Sequence, residues 1–310
     1  MTDSQLSQTP AGKMRPLNVL RDLPKVADLV EFCFKKNVGS EGKSYLEQMR
    51  SASKSLNSVP FKGFVWVSRK RIVGNISLIP FDKAQKNVIL LANIAVHPEY
   101  RRKGIARALT QKGIETAEKR GANAIWLQVE RENLAAITLY KGLGFQPHSE
   151  RTTWVENRKI SLPLKKQGIR IISRSAHFWS EQNLWLNQSY PEALRWYRMP
   201  DFDIFKPGLK YWLHRLFVEY DIKQWAVQRD GKLQAVLMWK EMHTRRASVW
   251  LATAPQADSE SLTTLLLYAR HQLASPRRKL TLDFLADQFV PAFEQAGFNA
   301  RRTLLWMVRG

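Results

Sequence analysis

Two periodicities alternate along the first half of the chain. Phe64–Ser68 (FVWVS) and Ile72–Ile79 (IVGNISLI) read as a β-hairpin across the charged turn Arg69–Arg71. Asn87–Val96 (NVILLANIAV) is nearly all apolar, the pattern of a strand buried on both faces. Gly104–Arg120 then carries Ile105, Leu109 and Ile114 at helical spacing, and Gly121 stops it. Ala124–Val129 (AIWLQV) is a second buried strand, Leu134–Leu143 a short helix closed by Gly144, and Thr152–Val155 a last strand. Ahead of these, Pro16–Leu20 predicts a first strand, Pro24–Lys35 a helix opened by its proline, and Ser44–Ser55 a second helix.

The order begins again after Arg158–Gly168 (RKISLPLKKQG), where charge, proline and glycine mix. Ile169–Ser173 predicts a strand, followed by a Trp-rich helical stretch to about Trp212. A hairpin, Gln224–Gln228 with Leu233–Glu241, turns at Asp230-Gly231. Strand Ala247–Ala252, helix Ser259–Leu273, strand Lys279–Phe284, helix Pro291–Ala296 and strand Thr303–Val308 complete the second half. Ala296-Gly297-Phe298 takes the place of Leu143-Gly144-Phe145, with each glycine where a helix must stop. These patterns predict an α/β chain with a long-period duplication: a loose leader (1–15), one domain at 16–158 and another at 168–310.

Composition narrows this picture. The 310 residues are enough for two cores, and no apolar run approaches the length of a membrane span. The polar N-terminus lacks the core of a signal peptide, and Cys33 is the only cysteine, so neither a disulfide nor a cysteine metal site is expected and the cytoplasm is the expected compartment. The six histidines show no metal-ligand spacing. The net charge of +22 favours anionic partners, CoA and nucleic acid among them. No nucleic-acid motif accompanies that charge, and a solvated basic surface is the plainer explanation of it.

One constellation carries chemistry. Arg101, Arg102, Lys103, Gly104, Ile105 and Ala106 stand between a buried strand and an amphipathic helix. A loop running into a helix offers free N–H groups and the positive end of the helix dipole to an anion. Gly104 and Ala106 leave the backbone open to close approach. Alone, the string is also compatible with a plain turn. Asn133 follows at a strand end, Tyr140 seven positions later, and Leu143-Gly144-Phe145 closes the unit.

In this arrangement His97–Ala108 (HPEYRRKGIARA) and Asn133–Phe145 (NLAAITLYKGLGF) resemble the two signature segments of the GNAT superfamily of acyltransferases. Asn93–Val96 (NIAV) and Ala124–Val129 most resemble its ribosomal-protein N-terminal acetyltransferase branch. The resemblance covers roughly 17–155. Together with the duplication of the two halves, it implies two tandem GNAT-like domains, each with a mixed, mainly antiparallel sheet flanked by helices. It also implies that acetyl-CoA is the cosubstrate and a primary amine the acceptor. The backbone of Ile94 and Val96 would pair with the pantetheine arm, and the amides of Arg102–Ala106 would hold the pyrophosphate. Asn133 would bind the CoA arm, a role compatible with a helix N-cap. Tyr140 would protonate the departing thiolate.

The branch carries a glutamate where this chain has Gln128, which cannot accept a proton. Glu130, two residues on and so on the same strand face, is the candidate base, directly or through water. In the second half Phe293 stands at the Tyr140 position and Ala286 at the Asn133 position. Thr253–Glu260 (TAPQADSE) has no basic residue and no glycine. That half is therefore expected to have lost its cofactor site. The sequence reading is an acetyl-CoA-dependent N-acyltransferase with one active half. A CoA-binding sensor or scaffold without catalysis is the alternative.

Overall fold

The computed structural model describes residues 12–34, 62–83, 86–157, 167–173, 176–197, 199–208, 221–241, 246–275 and 278–310. The helix expected at Ser44–Ser55, most of the 158–168 break and the stretch around Trp212 lie outside them. The chain divides into two compact units, 1–149 with 304–310, and 150–303.

In the first unit the strands are β1 (Lys13–Pro16), β2 (Lys62–Ser68), β3 (Arg71–Lys83), β4 (Lys86–Val96), β5 (Ala124–Glu130) and the end of β12 (Phe298–Arg309), in that spatial order. Every neighbouring pair is antiparallel except β4 with β5, which run parallel. Helices α1 (Val19–Cys33), α2 (Ile105–Lys119) and α3 (Leu134–Lys141) belong to it. The end of β12 ladders with β5, Leu304 opposite Glu130 through Arg309 opposite Ile125. A division at 158–168 keeps these residues with the second half; in the fold their strand partner is β5.

Two apolar clusters hold this unit. Ile105, Leu109, Ile114 and Ala117 of α2 share one with Ile76, Leu91, Leu127, Leu305 and Met307. Gly113 permits this, because a Cβ there would stand 2.8 Å from Ile76 Cδ1. Leu23, Val26, Ala27 and Val30 of α1 form the other with Val65 and Ala95.

Helix α1 begins at Val19, not at Pro24, and the strand expected at Pro16–Leu20 is displaced to Lys13–Pro16. Capping explains the shift: the Asn18 side chain accepts the Arg21 N–H at 3.0 Å, and Asp22 accepts the Asn18 N–H at 2.8 Å. That reciprocal cap outweighs the hydrogen bond Pro24 cannot donate. Burial pushes the Asp22 carboxyl up, but Arg15, the Asn18 amide and Arg21 outweigh it and hold the group at about 2.

The second unit repeats the plan. Strand order is β6 (Gln146–Glu156), β11 (Lys279–Leu285), β10 (Arg246–Thr253), β9 (Lys232–Lys240), β8 (Ile222–Arg229) and β7 (Ile169–Ser173). Again one pair, β10 with β11, is parallel and the rest antiparallel. Helices α4 (Trp179–Ser189), α5 (Ser259–Gln272) and α6 (Val290–Gln295) belong to it. Both units thus have the mixed, mainly antiparallel sheet that the sequence led us to expect. No helix among the described residues is long and apolar enough to cross a membrane.

Candidate active site

The parallel ladder between β4 and β5 is short: Val88–Leu91 pair with Ala124–Leu127, and there it ends. Strand β4 continues to Val96 against β3 on its other edge, and β5 continues to Glu130 against β12. Between them the strands part, and the edge Ala92–Val96 has no strand partner on the β5 side among the described residues. A bulge opens the gap. The β3–β4 register shifts between Asn75 and Ser77, and Asn93 sits at φ +52, in the left-handed region.

Beyond the bulge, Asn75 pairs with Ala95 and the His97 N–H reaches the Val73 carbonyl at 2.8 Å. Alternation along an antiparallel strand then turns the N–H and C=O of Ile94 and Val96 away from β3, into the gap. The two residues differ in availability. The Val96 carbonyl already accepts Arg101 Nε at 3.1 Å and Cys33 Sγ at 3.5 Å.

From Val96 the chain turns through Pro98–Tyr100 to the basic loop. Arg102 (φ +58) and Gly104 (φ +77) both take left-handed backbone, and Gly104 is the N-cap of α2 with no side chain capping it. The Ala108 N–H makes the first bond, to the Gly104 carbonyl at 3.0 Å. The amides of Ile105, Ala106 and Arg107 have no acceptor among the described residues. A Cβ on Gly104 would meet nothing within 4 Å, so the glycine serves the backbone angle rather than tightness. Three exposed basic residues flank these amides, with Arg101 folded back to Val96 and Lys103 Nζ 5.4 Å from the Tyr100 ring centre. Uncapped amides beside basic side chains are suited to a pyrophosphate.

Tyr140 of α3 lies in the α2-side core and meets Phe145 edge-on at 6.2 Å. No hydrogen bond of its hydroxyl is found among the described residues, and the side chain is almost wholly buried. Burial pushes the phenol well above its usual range, so it stays protonated and can act only as a proton donor at neutral pH. Asn133 caps α3 by accepting the Ala136 N–H at 3.2 Å, which leaves its amide nitrogen for other use. Gln128 and Glu130 alternate with the core-facing Leu127 and Val129, so both occupy the sheet face opposite α2. Tyr140 belongs to the α2 side, and the candidate acid and base therefore lie on the two faces of the sheet beside the gap.

The second unit has the same parting of strands and fills it. The β10–β11 ladder covers only Arg246–Val249 with Lys279–Leu282. On the open side of β10, the Leu251 N–H donates to the hydroxyl of the buried Tyr190 at 3.2 Å. The start of α5 is capped by Asp258, whose carboxylate accepts the Ser261 N–H at 2.8 Å and its hydroxyl at 2.7 Å. Arg229 bridges Asp258 and Glu260 at 2.6 and 2.7 Å. Burial raises the Asp258 carboxyl, but Ser261 and Arg229 outweigh it and the group stays below its ordinary value. Phe293 is fully buried between Trp154 and Phe284, at 4.9 and 5.8 Å.

Sequence reasoning overlooked Asn75, Ser77 and Tyr190. A signal existed for the first two: they are polar residues inside the otherwise apolar run IVGNISLI. For Tyr190 there was none, because its partner is 61 residues away. Among the described residues, no three metal-ligating side chains converge.

Residues 23–145 match the model of the Acetyltransferase (GNAT) family. A stretch of 64 residues is 47% identical to the [Ribosomal protein bS18]-alanine N-acetyltransferase of Escherichia coli strain K12, covering 21% of this chain and 43% of that protein. The chain thus matches less than half the length of this relative. Another 60 residues are 45% identical to the uncharacterized N-acetyltransferase YobR of Bacillus subtilis, over 19% of this chain and 24% of that one. Among solved structures, a tandem GNAT protein from the clavulanic acid biosynthesis pathway aligns over 96% of this chain and 98% of its own, with TM-score 0.50 and 15% identity. A GCN5-related N-acetyltransferase from Sphaerobacter thermophilus aligns over 96% and 95%, with TM-score 0.57 and 13% identity. At such identities these two likenesses concern the fold alone.

Proposed function

We propose, because residues 23–145 match the model of the Acetyltransferase (GNAT) family, that the protein transfers an acyl group, acetyl by default, from acyl-CoA to a primary amine, in its first unit. The observation that carries this reading is the open edge of β4 leading directly to the uncapped N-terminus of α2. On this reading the Ile94 C=O and the Val96 N–H hydrogen-bond the pantetheine arm, and Arg101–Ala106 hold the pyrophosphate. Asn133 contributes its free amide nitrogen. Glu130, directly or through water, takes a proton from the incoming ammonium.

The amine lone pair then forms the C–N bond at the thioester carbonyl. The Ile94 N–H is placed to stabilise the oxyanion. As the C–S bond breaks, Tyr140 gives its proton to the thiolate; the new amide nitrogen loses its extra proton to solvent, and the phenolate takes one back. The phenol's raised pKa keeps it loaded for that step. The acceptor is a free amine, and a peptide N-terminus belongs in the first panel beside polyamines and amino acids. The single cysteine fits a reducing, cytoplasmic setting.

Gln128, standing where the related branch has a glutamate, favours one second reading, a CoA-binding protein without turnover. Calorimetry with acetyl-CoA and an amine-panel turnover assay separate the two. We expect Tyr140→Phe to bind acetyl-CoA within about threefold of wild type while turnover falls roughly 100-fold or more, the range of general-acid contributions. Unchanged turnover in Tyr140→Phe would remove the tyrosine from the mechanism. Binding with no transfer to any amine would favour the second reading.

A further inference from the structure

The left-handed residue that opens the gap is held by side chains. Asn93 is not a glycine, and φ +52 costs a residue with a Cβ about 1 kcal/mol. Asn75 Nδ2 donates to the Asn93 carbonyl at 3.0 Å and lies 3.4 Å from Ser77 Oγ. Asn93 Nδ2 in turn donates to Ser77 Oγ at 3.2 Å. Asn75 and Ser77 are fully buried in the middle of the sheet, and the register slips between them. Two polar side chains in a buried strand are costly unless hydrogen-bonded, and here the carbonyl of the bulged residue is one of their partners. The Oδ1 of Asn75 is enclosed without a partner, so this cluster is not the cheapest way to fill the space.

We propose that Asn75 is a positioning residue for acyl transfer: with Ser77 it locks Asn93 in its left-handed conformation and so aims the Ile94 N–H into the gap between β4 and β5. The inference rests on the acyl-transfer reading only for its effect on rate; its effect on the backbone stands without it. Without the clamp, residue 93 relaxes toward ordinary strand geometry. Side-chain period two then reverses the direction of every backbone group beyond it. Acetyl-CoA affinity, supplied largely by the α2 amides, is less exposed to that change than the oxyanion contact is.

The test uses the full chain with Asn75→Val, a β-favouring replacement of similar volume that lacks the donor. Thermal melting checks that it folds. Expected is a turnover number at least tenfold below wild type, acetyl-CoA binding within threefold, and amide hydrogen exchange at least tenfold faster at Ala95, whose N–H turns out of the β3 ladder. Adding Asn93→Gly, which adopts positive φ readily, should restore part of the lost rate, a rescue that general loosening of the sheet would not produce. A folded Asn75→Val with turnover within twofold of wild type overturns the proposal, as does a loss that Asn93→Gly leaves unrelieved. If wild type transfers no acyl group, the acyl-transfer reading fails by itself. Hydrogen exchange then decides: accelerated exchange at Ala95 supports the clamp and unchanged exchange overturns it.

Discussion

Two substitutions of Gly104 separate backbone strain from charge. At φ +77 any other residue pays the left-handed penalty, about 1 kcal/mol. A Cβ there meets nothing within 4 Å, so no clash is added. Gly104→Ala should therefore cost about 1 kcal/mol of stability and leave the amides of Ile105–Arg107 open. Gly104→Glu carries the same strain, but a carboxylate at a helix N-terminus recovers roughly 0.3–1 kcal/mol. Toward a bound pyrophosphate the same carboxylate is repulsive. Two negative charges about 6 Å away, at an effective dielectric constant of about 40–80, give roughly 1.4–2.8 kcal/mol, or about 10- to 100-fold in affinity. Calorimetric titration with acetyl-CoA should find Gly104→Glu weaker than Gly104→Ala by that factor, while Gly104→Glu melts no lower. The gap should narrow as ionic strength rises. Equal affinity for the two variants would refute the assignment of this loop to the pyrophosphate.

The Asp22 cap gives a pH signature. Its carboxyl lies at about 2 in the fold against 3.8 ordinarily, so its contribution of about 2 kcal/mol is complete above about pH 5 and is lost as pH falls through 3.8 and then 2. Denaturant unfolding should show Asp22→Asn less stable than wild type at pH 6, with the difference closing toward pH 2. The first unit should also depend on the end of the chain. Met307 is fully buried in its core, so Met307→Ala should lose about 2–5 kcal/mol in the same assay. A fragment 1–157, which lacks the partner of the outer β5 edge, should fail to show a cooperative unfolding transition.

Much of this was legible locally. The hairpin of β2 and β3, the buried strands β4 and β5 and the glycine-started α2 follow from period and turn residues within each segment. The loop, Asn133 and Tyr140 were singled out through their resemblance to the GNAT signature segments, whose spacing one strand–helix–strand passage fixes. The features that escaped depend on distant partners. Nothing in Leu304–Arg309 says that it ladders with Ile125–Glu130, since any alternating strand would serve. The start of α1 went astray because Pro24 is a strong signal and the Asn18–Asp22 cap a quieter one. The retreat of Arg101 onto the Val96 carbonyl is a rotamer choice, made by tertiary contacts that a sequence motif does not encode.

The second unit tests whether a parted pair of strands is enough to make an acyl-CoA site. It keeps the scaffold and supplies each ligand contact from within: Tyr190 takes the Leu251 N–H, Asp258 takes the helix start, and Phe293 stands without a hydroxyl where an acid would be needed. These closures are independent, so removing one should not open the site. Asp258→Gly frees the Ser261 amide and removes the carboxylate, at a cost of about 0.5–2 kcal/mol for the lost cap. The buried Tyr190 ring still occupies the gap. Acetyl-CoA should therefore bind with one-site stoichiometry in wild type and in Asp258→Gly alike, and Asp258→Gly should melt earlier. A second site appearing in Asp258→Gly would mean that the carboxylate alone had been excluding the anion. Two sites in wild type would mean that Tyr190 yields to a ligand.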